Sequence, residues 1–118
     1  MKKILVVSHE RPVRERLRDE LEGEGYDVVV AGGGEDAVDQ CKEENPDLVL
    51  VETVVSGMDN AGAIGRLREE HLPSPILVWS AFSPRCDESP WWVPDAHVLC
   101  TPSFLKVKEK IRELCASA

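Results

Sequence analysis

No apolar run in this chain approaches the ~20 residues that a membrane-spanning helix requires. The N-terminal stretch Ile4 to Val7 is too short for the apolar region of a secretory signal, so the expected location is the cytoplasm. Cysteine is sparse and scattered. Cys41, Cys86, Cys100 and Cys115 include no Cys-x-x-Cys pair, which disfavours zinc ribbons and thioredoxin-like redox motifs. They read instead as small buried hydrophobes in a reducing compartment. Basic charge is also short, with 14 Lys and Arg against 22 Asp and Glu for a formal net charge of −8. Such a surface repels phosphate backbones and anionic lipid, so neither a nucleic acid nor a membrane is an expected partner. No repeat or linker divides the chain, and residues 1–118 read as one domain, long enough for one proper core.

What the chain does have is alternation. Ile4-Leu5-Val6-Val7 is continuously apolar, as expected for a strand covered on both faces. Arg11-Pro12-Val13 places proline in the first turn of a helix. Val13, Leu17 and Leu21 recur on one face of it, and Gly23 and Gly25 stop it. Tyr26 to Ala31 reads as strand 2, and Gly32-Gly33-Gly34 as its turn. Glu35 to Glu44 is the next helix, with Ala37, Val38 and Cys41 inward, ended by Asn45-Pro46. Leu48 to Val51 is strand 3. Asp59 or Asn60 caps a helix to about His71, with Ile64 and Leu67 inward. Ile76 to Trp79 is strand 4 and His97 to Cys100 strand 5; Ser103 caps a last helix carrying Leu105, Val107, Ile111 and Leu114.

Repeated strand–helix alternation predicts an α/β fold with a parallel sheet and helices on both faces. Right-handed crossovers and this size favour a flavodoxin-like, doubly wound, five-stranded sheet of order 2-1-3-4-5. Such a sheet binds ligands at the carboxyl ends of strands 1 and 3, where the winding reverses. The residues to inspect are therefore Ser8, His9 and Glu10 after strand 1, Glu52 after strand 3, Ser80 at the end of strand 4, and Thr101-Pro102 after strand 5.

Several segments, in order along essentially the whole chain, carry a resemblance. They are Lys3 to Val7 with the polar cluster behind it, and Pro46 to Val51 with an acid at 52 and then Ser56-Gly57-Met58-Asp59. Pro75 to Val78 with Ser80-Ala81, and Thr101-Pro102, complete the set. Together they resemble the receiver domain of two-component response regulators, the CheY-like family. That resemblance implies a protein partner, a histidine kinase or an output protein, and a phosphoacceptor pocket at the switch point. In the family, two acids after strand 1 and an aspartate after strand 3 hold Mg²⁺. The aspartate accepts the phosphoryl group, a Ser or Thr after strand 4 bonds it, and a lysine before the last proline pairs with it.

Carried over residue by residue, the pattern is largely replaced. Ser8 and His9 stand for the acidic pair, Glu52 for the acceptor and Thr101 for the lysine; Ser80 and Pro102 agree. Mg²⁺ is a hard cation that needs oxygen ligands. Phosphoryl transfer is mostly positioning and charge neutralisation. Mg²⁺ binding is thus expected to be weak or absent, no cofactor or catalytic residue is expected, and the chain reads as a pseudo-receiver rather than an enzyme. The alternative is an atypical receiver still phosphorylated with Mg²⁺ on Glu52 or a nearby hydroxyl such as Ser56.

Two readings of Glu52 stand side by side: a fixed mimic of the phosphorylated state accepting from Ser80, or a solvated acid at a loop start. Glu10 should point away or cap the first helix. His9 with Glu52 makes only two ligands, too few for a transition-metal site. Ser8 and His9 are adjacent on one strand end and point apart, so His9 cannot serve Ser8 as a base. Gly32-Gly33-Gly34 lies away from the switch point and reads as a turn rather than a phosphate loop.

The segment Phe82 to Pro94 departs further. Pro84, Pro90 and Pro94 leave room for about one or two helical turns, so the fourth helix is expected to be shortened or irregular. Trp91 and Trp92 there are candidate contact residues, one ring covering the core and the other meeting a partner. Val98 holds the position of the family's switching aromatic and has no ring to swing; with Trp91 and Trp92 it marks the expected partner surface. Monomer or weak homodimer is the expected state.

Overall fold

The structure is a computed structural model. It describes residues 2–8, 10–52, 65, 67, 69–70, 74–80, 96–99 and 104–116, with only the backbone of 34, 35, 80, 96–99 and 116. Among the described residues, the strands β1 (Lys3–Val7), β2 (Asp27–Ala31), β3 (Leu48–Glu52), β4 (Ile76–Ser80) and β5 (Ala96–Leu99) pair in parallel in the order β2-β1-β3-β4-β5. Helices α1 (Arg11–Glu22) and α2 (Gly34–Glu44) follow β1 and β2, and a C-terminal helix spans Leu105–Ala116. The doubly wound parallel sheet read from the alternation is present. The expected short fourth helix falls between β4 and β5, outside the described residues, as do Ser103, Asp59, Asn60 and Ile64.

Side chains alternate across the sheet, so each continuous apolar run feeds two cores at once. Ile4, Val6, Leu48, Leu50, Leu77 and Trp79 face one way and pack against Leu17 and Leu21 of α1 and Val107, Ile111 and Cys115 of the C-terminal helix. Leu5, Val7, Val49, Val51, Ile76 and Val78 face the other way, onto Ala37, Val38 and Cys41 of α2 and onto Leu67. A fully buried Leu or Ile contributes about 1.5–3 kcal/mol. Leu5, Leu48, Leu50 and Leu77 are all inaccessible to solvent, so the middle of the sheet carries most of this stabilisation.

Local chemistry sets the boundaries. Gly25, with φ of 95°, makes the reversal after α1, where the Tyr26 N–H returns to the Leu21 carbonyl at 3.3 Å. Tyr26 is thereby held in the turn, and β2 starts one residue later than the apolar pattern suggests. Asn45 ends α2 in the left-handed region, φ 51° and ψ 59°, a conformation asparagine tolerates. The C-terminal helix starts later than expected. The Phe104 carbonyl accepts a helical bond from the Lys108 N–H at 3.0 Å, and the helix is described from Leu105. Cys41 and Cys115 are buried free thiols, and burial pushes the Cys41 thiol up to about 11, so it is inert near neutral pH.

Charge ties α1 to the C-terminal helix. The Lys108 ammonium donates to Glu20 Oε1 at 2.9 Å and lies 3.6 Å from Glu24. That hydrogen bond, with the attraction behind it, holds Glu20 below the usual carboxylate range and Lys108 above the usual lysine range. A carboxylate depressed in the fold contributes stability above its unfolded value of ~4.3, and that contribution is lost as pH falls through the folded value. The raised ammonium contributes below its unfolded value of ~10.4, and that is lost as pH rises through the folded value. Thermal melts of Lys108→Met from pH 3 to 11 are therefore expected to be flatter than wild type at both ends. Parallel acid and alkaline arms in the two proteins would remove this coupling.

Candidate functional site

β1 and β3 end side by side where the winding reverses, the place where sheets of this order bind ligands. Val7 is aligned with Val51, so the next residue of each strand brings Ser8 level with Glu52. Both continue the face of Ile4, Val6, Leu48 and Leu50, the face covered by α1 and the C-terminal helix. The result is a direct contact: Ser8 Oγ donates to Glu52 Oε1 at 2.8 Å. Ser8 is fully buried, and Glu52 is only 2% exposed.

The position of Ser8 is fixed from several sides. Its N–H donates to the Ala31 carbonyl of β2 at 3.1 Å. Its carbonyl accepts from Arg14 Nη1 of α1 at 2.9 Å, and its Oγ accepts from the Glu10 N–H at 3.1 Å. The hydroxyl has one proton and two candidate acceptors, Glu52 Oε1 at 2.8 Å and the Glu10 carbonyl at 3.3 Å. The Glu10 carbonyl already accepts the first helical bond of α1, from the Arg14 N–H at 2.9 Å. The shorter, charge-assisted bond to Glu52 takes the proton.

Glu52 is therefore no solvated acid at a loop start: it closes β3, and a buried carboxylate must have donors. Its Oε1 turns to the β1 side, onto Ser8. The side chains of Ser80 and Val98, and all of His9, Thr101, Trp91 and Trp92, lie outside what is described. Glu10 occupies the N-cap position of α1, but its exposed side chain makes no capping bond. Trp79 and then Val98 continue the backbone row that starts at Glu52. The Trp79 ring lies 5.5 Å from that of Phe104, over which the Arg16 guanidinium sits at 5.2 Å. Trp79 is only 5% exposed, a buried reporter beside the pocket rather than part of its wall to solvent.

This donor set does not fit Mg²⁺. Ser8 and His9 bring no carboxylate, and the one acid aligned with them is buried and bonded to Ser8. No cluster of three metal-ligating side chains occurs among the described residues. The sequence pointed to each of these residues, but not to the Ser8–Glu52 bond. Strand register and the two-residue period were the signal that implies it.

A parallel sheet of this order with its crevice between β1 and β3 defines a doubly wound α/β domain of the flavodoxin-like type. Residues 4–88 match the response regulator receiver domain, and the chain belongs to that family. It is 36% identical over 87 residues to the alkaline phosphatase synthesis transcriptional regulatory protein PhoP of Bacillus subtilis (strain 168), covering 74% of this chain and 36% of that protein. The chain thus spans about a third of that relative's length. Among solved structures, the response regulator TrrA of Thermotoga maritima, in complex with Mg²⁺ and BeF, is 35% identical with a TM-score of 0.83, covering 97% of this chain and 99% of that one. TrrA has also been solved in complex with the histidine kinase ThkA, and there it matches at a TM-score of 0.81 over 97% of this chain and 98% of that one. The chemotaxis protein CheY4 of Vibrio cholerae, 16% identical with a TM-score of 0.84, over 97% of this chain and 98% of that one, shares the fold. No helix among the described residues is long and apolar enough to cross a membrane.

Proposed function

We propose that this chain is a receiver-type signalling domain that does not run aspartyl phosphorylation and acts as a protein-interaction module in phosphorelay-type signal transduction. The observation that carries the reading is the buried Ser8–Glu52 hydrogen bond at 2.8 Å, formed between two positions that in the family hold metal. With Thr101 in the place of the lysine, the pocket lacks both the cation and the fixed positive charge that neutralise a transferring phosphoryl group. The domain is then a non-enzymatic, cytoplasmic module that recognises another protein by shape. TrrA pairs with a histidine kinase; for this chain the partner is a histidine kinase or an output protein, met by the surface that carries Trp91, Trp92 and Val98. The buried state of Glu52 also supports a fixed carboxylate at the acceptor position rather than one awaiting modification.

The test is a titration with Mg²⁺ and beryllofluoride, the phosphoryl mimic, followed by Trp79 fluorescence and by calorimetry. No change in either is expected. A saturable, Mg²⁺-dependent change would overturn the reading in favour of a working pocket, with Glu52 or a hydroxyl such as Ser56 as acceptor.

A further inference from the structure

We propose that Ser8 is a latch: its hydroxyl holds the Glu52 carboxylate inside the sheet face covered by α1, and so withholds it from solvent cations and phosphodonors. This deepens the reading of an inactive pocket, on which it rests, by naming a residue that holds the remaining acid inward. The geometry is that of a built lock rather than a chance contact. Ser8 is tied at its N–H to β2, at its carbonyl to Arg14 and at its Oγ to the Glu10 N–H. Its hydroxyl proton is thereby aimed at Glu52 Oε1, 2.8 Å away. The acid ends up 2% exposed beside the apolar core around Trp79 and Leu50.

The sign of the interaction is what makes position 8 decisive. A carboxylate at this position would face Glu52 as a like charge at hydrogen-bond range, and repulsion would turn one of them towards water. Serine replaces that repulsion with a donated proton, and the attraction draws Glu52 inward. The departure at position 8 is thus not only a missing metal ligand. It also disposes of the acid that remains.

Carboxylate labelling of the full chain with a water-soluble carbodiimide and an amine, read by peptide mass spectrometry, tests this with exposed Glu10 as the internal standard. In wild type, Glu52 is expected to label at least about tenfold more slowly than Glu10, and its rate should rise with urea only as the unfolded fraction rises. In Ser8→Ala, with folding checked by circular dichroism, the Glu52 rate relative to Glu10 should increase by about tenfold. A wild-type Glu52 that labels as fast as Glu10, or independently of urea, overturns the latch without any variant. So does a folded Ser8→Ala with an unchanged rate. The two readings fail separately. Beryllofluoride uptake by wild type removes the inactive pocket, whereas no uptake together with a freely labelled Glu52 removes only the latch.

Discussion

The fourfold variant Ser8→Asp, His9→Asp, Glu52→Asp, Thr101→Lys is expected to take up phosphoryl from a small phosphodonor with Mg²⁺, whereas wild type takes up none. The variant's rate is expected to exceed the wild-type background of the assay by on the order of a hundredfold or more, because a metal and a fixed cation supply most of the charge stabilisation in this chemistry. Each change has a separate role. Ser8→Asp removes the donor that draws Glu52 inward and adds a hard oxygen ligand, and His9→Asp adds another. Glu52→Asp withdraws the acceptor by one methylene, away from the position 8 side chain. Thr101→Lys restores the counter-charge. An acid-stable gel shift or intact-mass increase, lost in hydroxylamine, reads an acyl phosphate directly. Equal uptake by wild type and variant would mean that the chemistry does not need these groups, and the proposed function would fall with it. A folded variant that takes up none would show that the pocket differs in shape as well as in charge.

The largest expected loss of stability comes from the centre of the sheet. Leu50 is fully buried on β3, between β1 and β4, and packs in the core with Ile4, Leu77 and Ile111. Leu50→Ala is expected to cost about 3–5 kcal/mol, the lost transfer free energy plus that of an unfilled cavity. Against a typical total of ~5–15 kcal/mol, this lowers the midpoint of thermal unfolding by on the order of 10–20 °C. Val29 is the contrast. It lies on the edge strand β2, only partly buried, and Val29→Ala is expected to cost under about 1.5 kcal/mol. Urea melts of the two variants at matched slope measure the difference. Similar midpoints would place the core elsewhere than between β1, β3 and β4.

Much of this was legible in the residues alone. Ile4 to Val7 and Leu48 to Val51 are unbroken apolar runs, and only a strand covered on both faces wants that pattern. The spacing of Val13, Leu17 and Leu21 named the inner face of α1, and the replacements at 8, 9, 52 and 101 were readable as departures from a family pattern. Boundaries were less legible, because hydrogen bonds decide them. The return of the Tyr26 N–H to Leu21 shortens β2, and the Phe104 carbonyl takes a helical bond at the start of the last helix.

The state of Glu52 was the point the sequence left open. An acid at the end of an apolar strand is compatible with water, with Ser80 or with Ser8, and residue identity does not choose among them. Pairing excludes water alone and supplies one partner: β1 and β3 are aligned so that Ser8 meets Glu52 on one face, 44 positions apart in the chain. The sequence by itself determined the fold class, the location of the crevice and the loss of its charges, because periodicity and composition are local properties of the chain. Only the tertiary structure decided that the remaining acid is buried and bonded. That depends on which strands lie side by side, and a hydrogen bond between two of them is written in neither one alone.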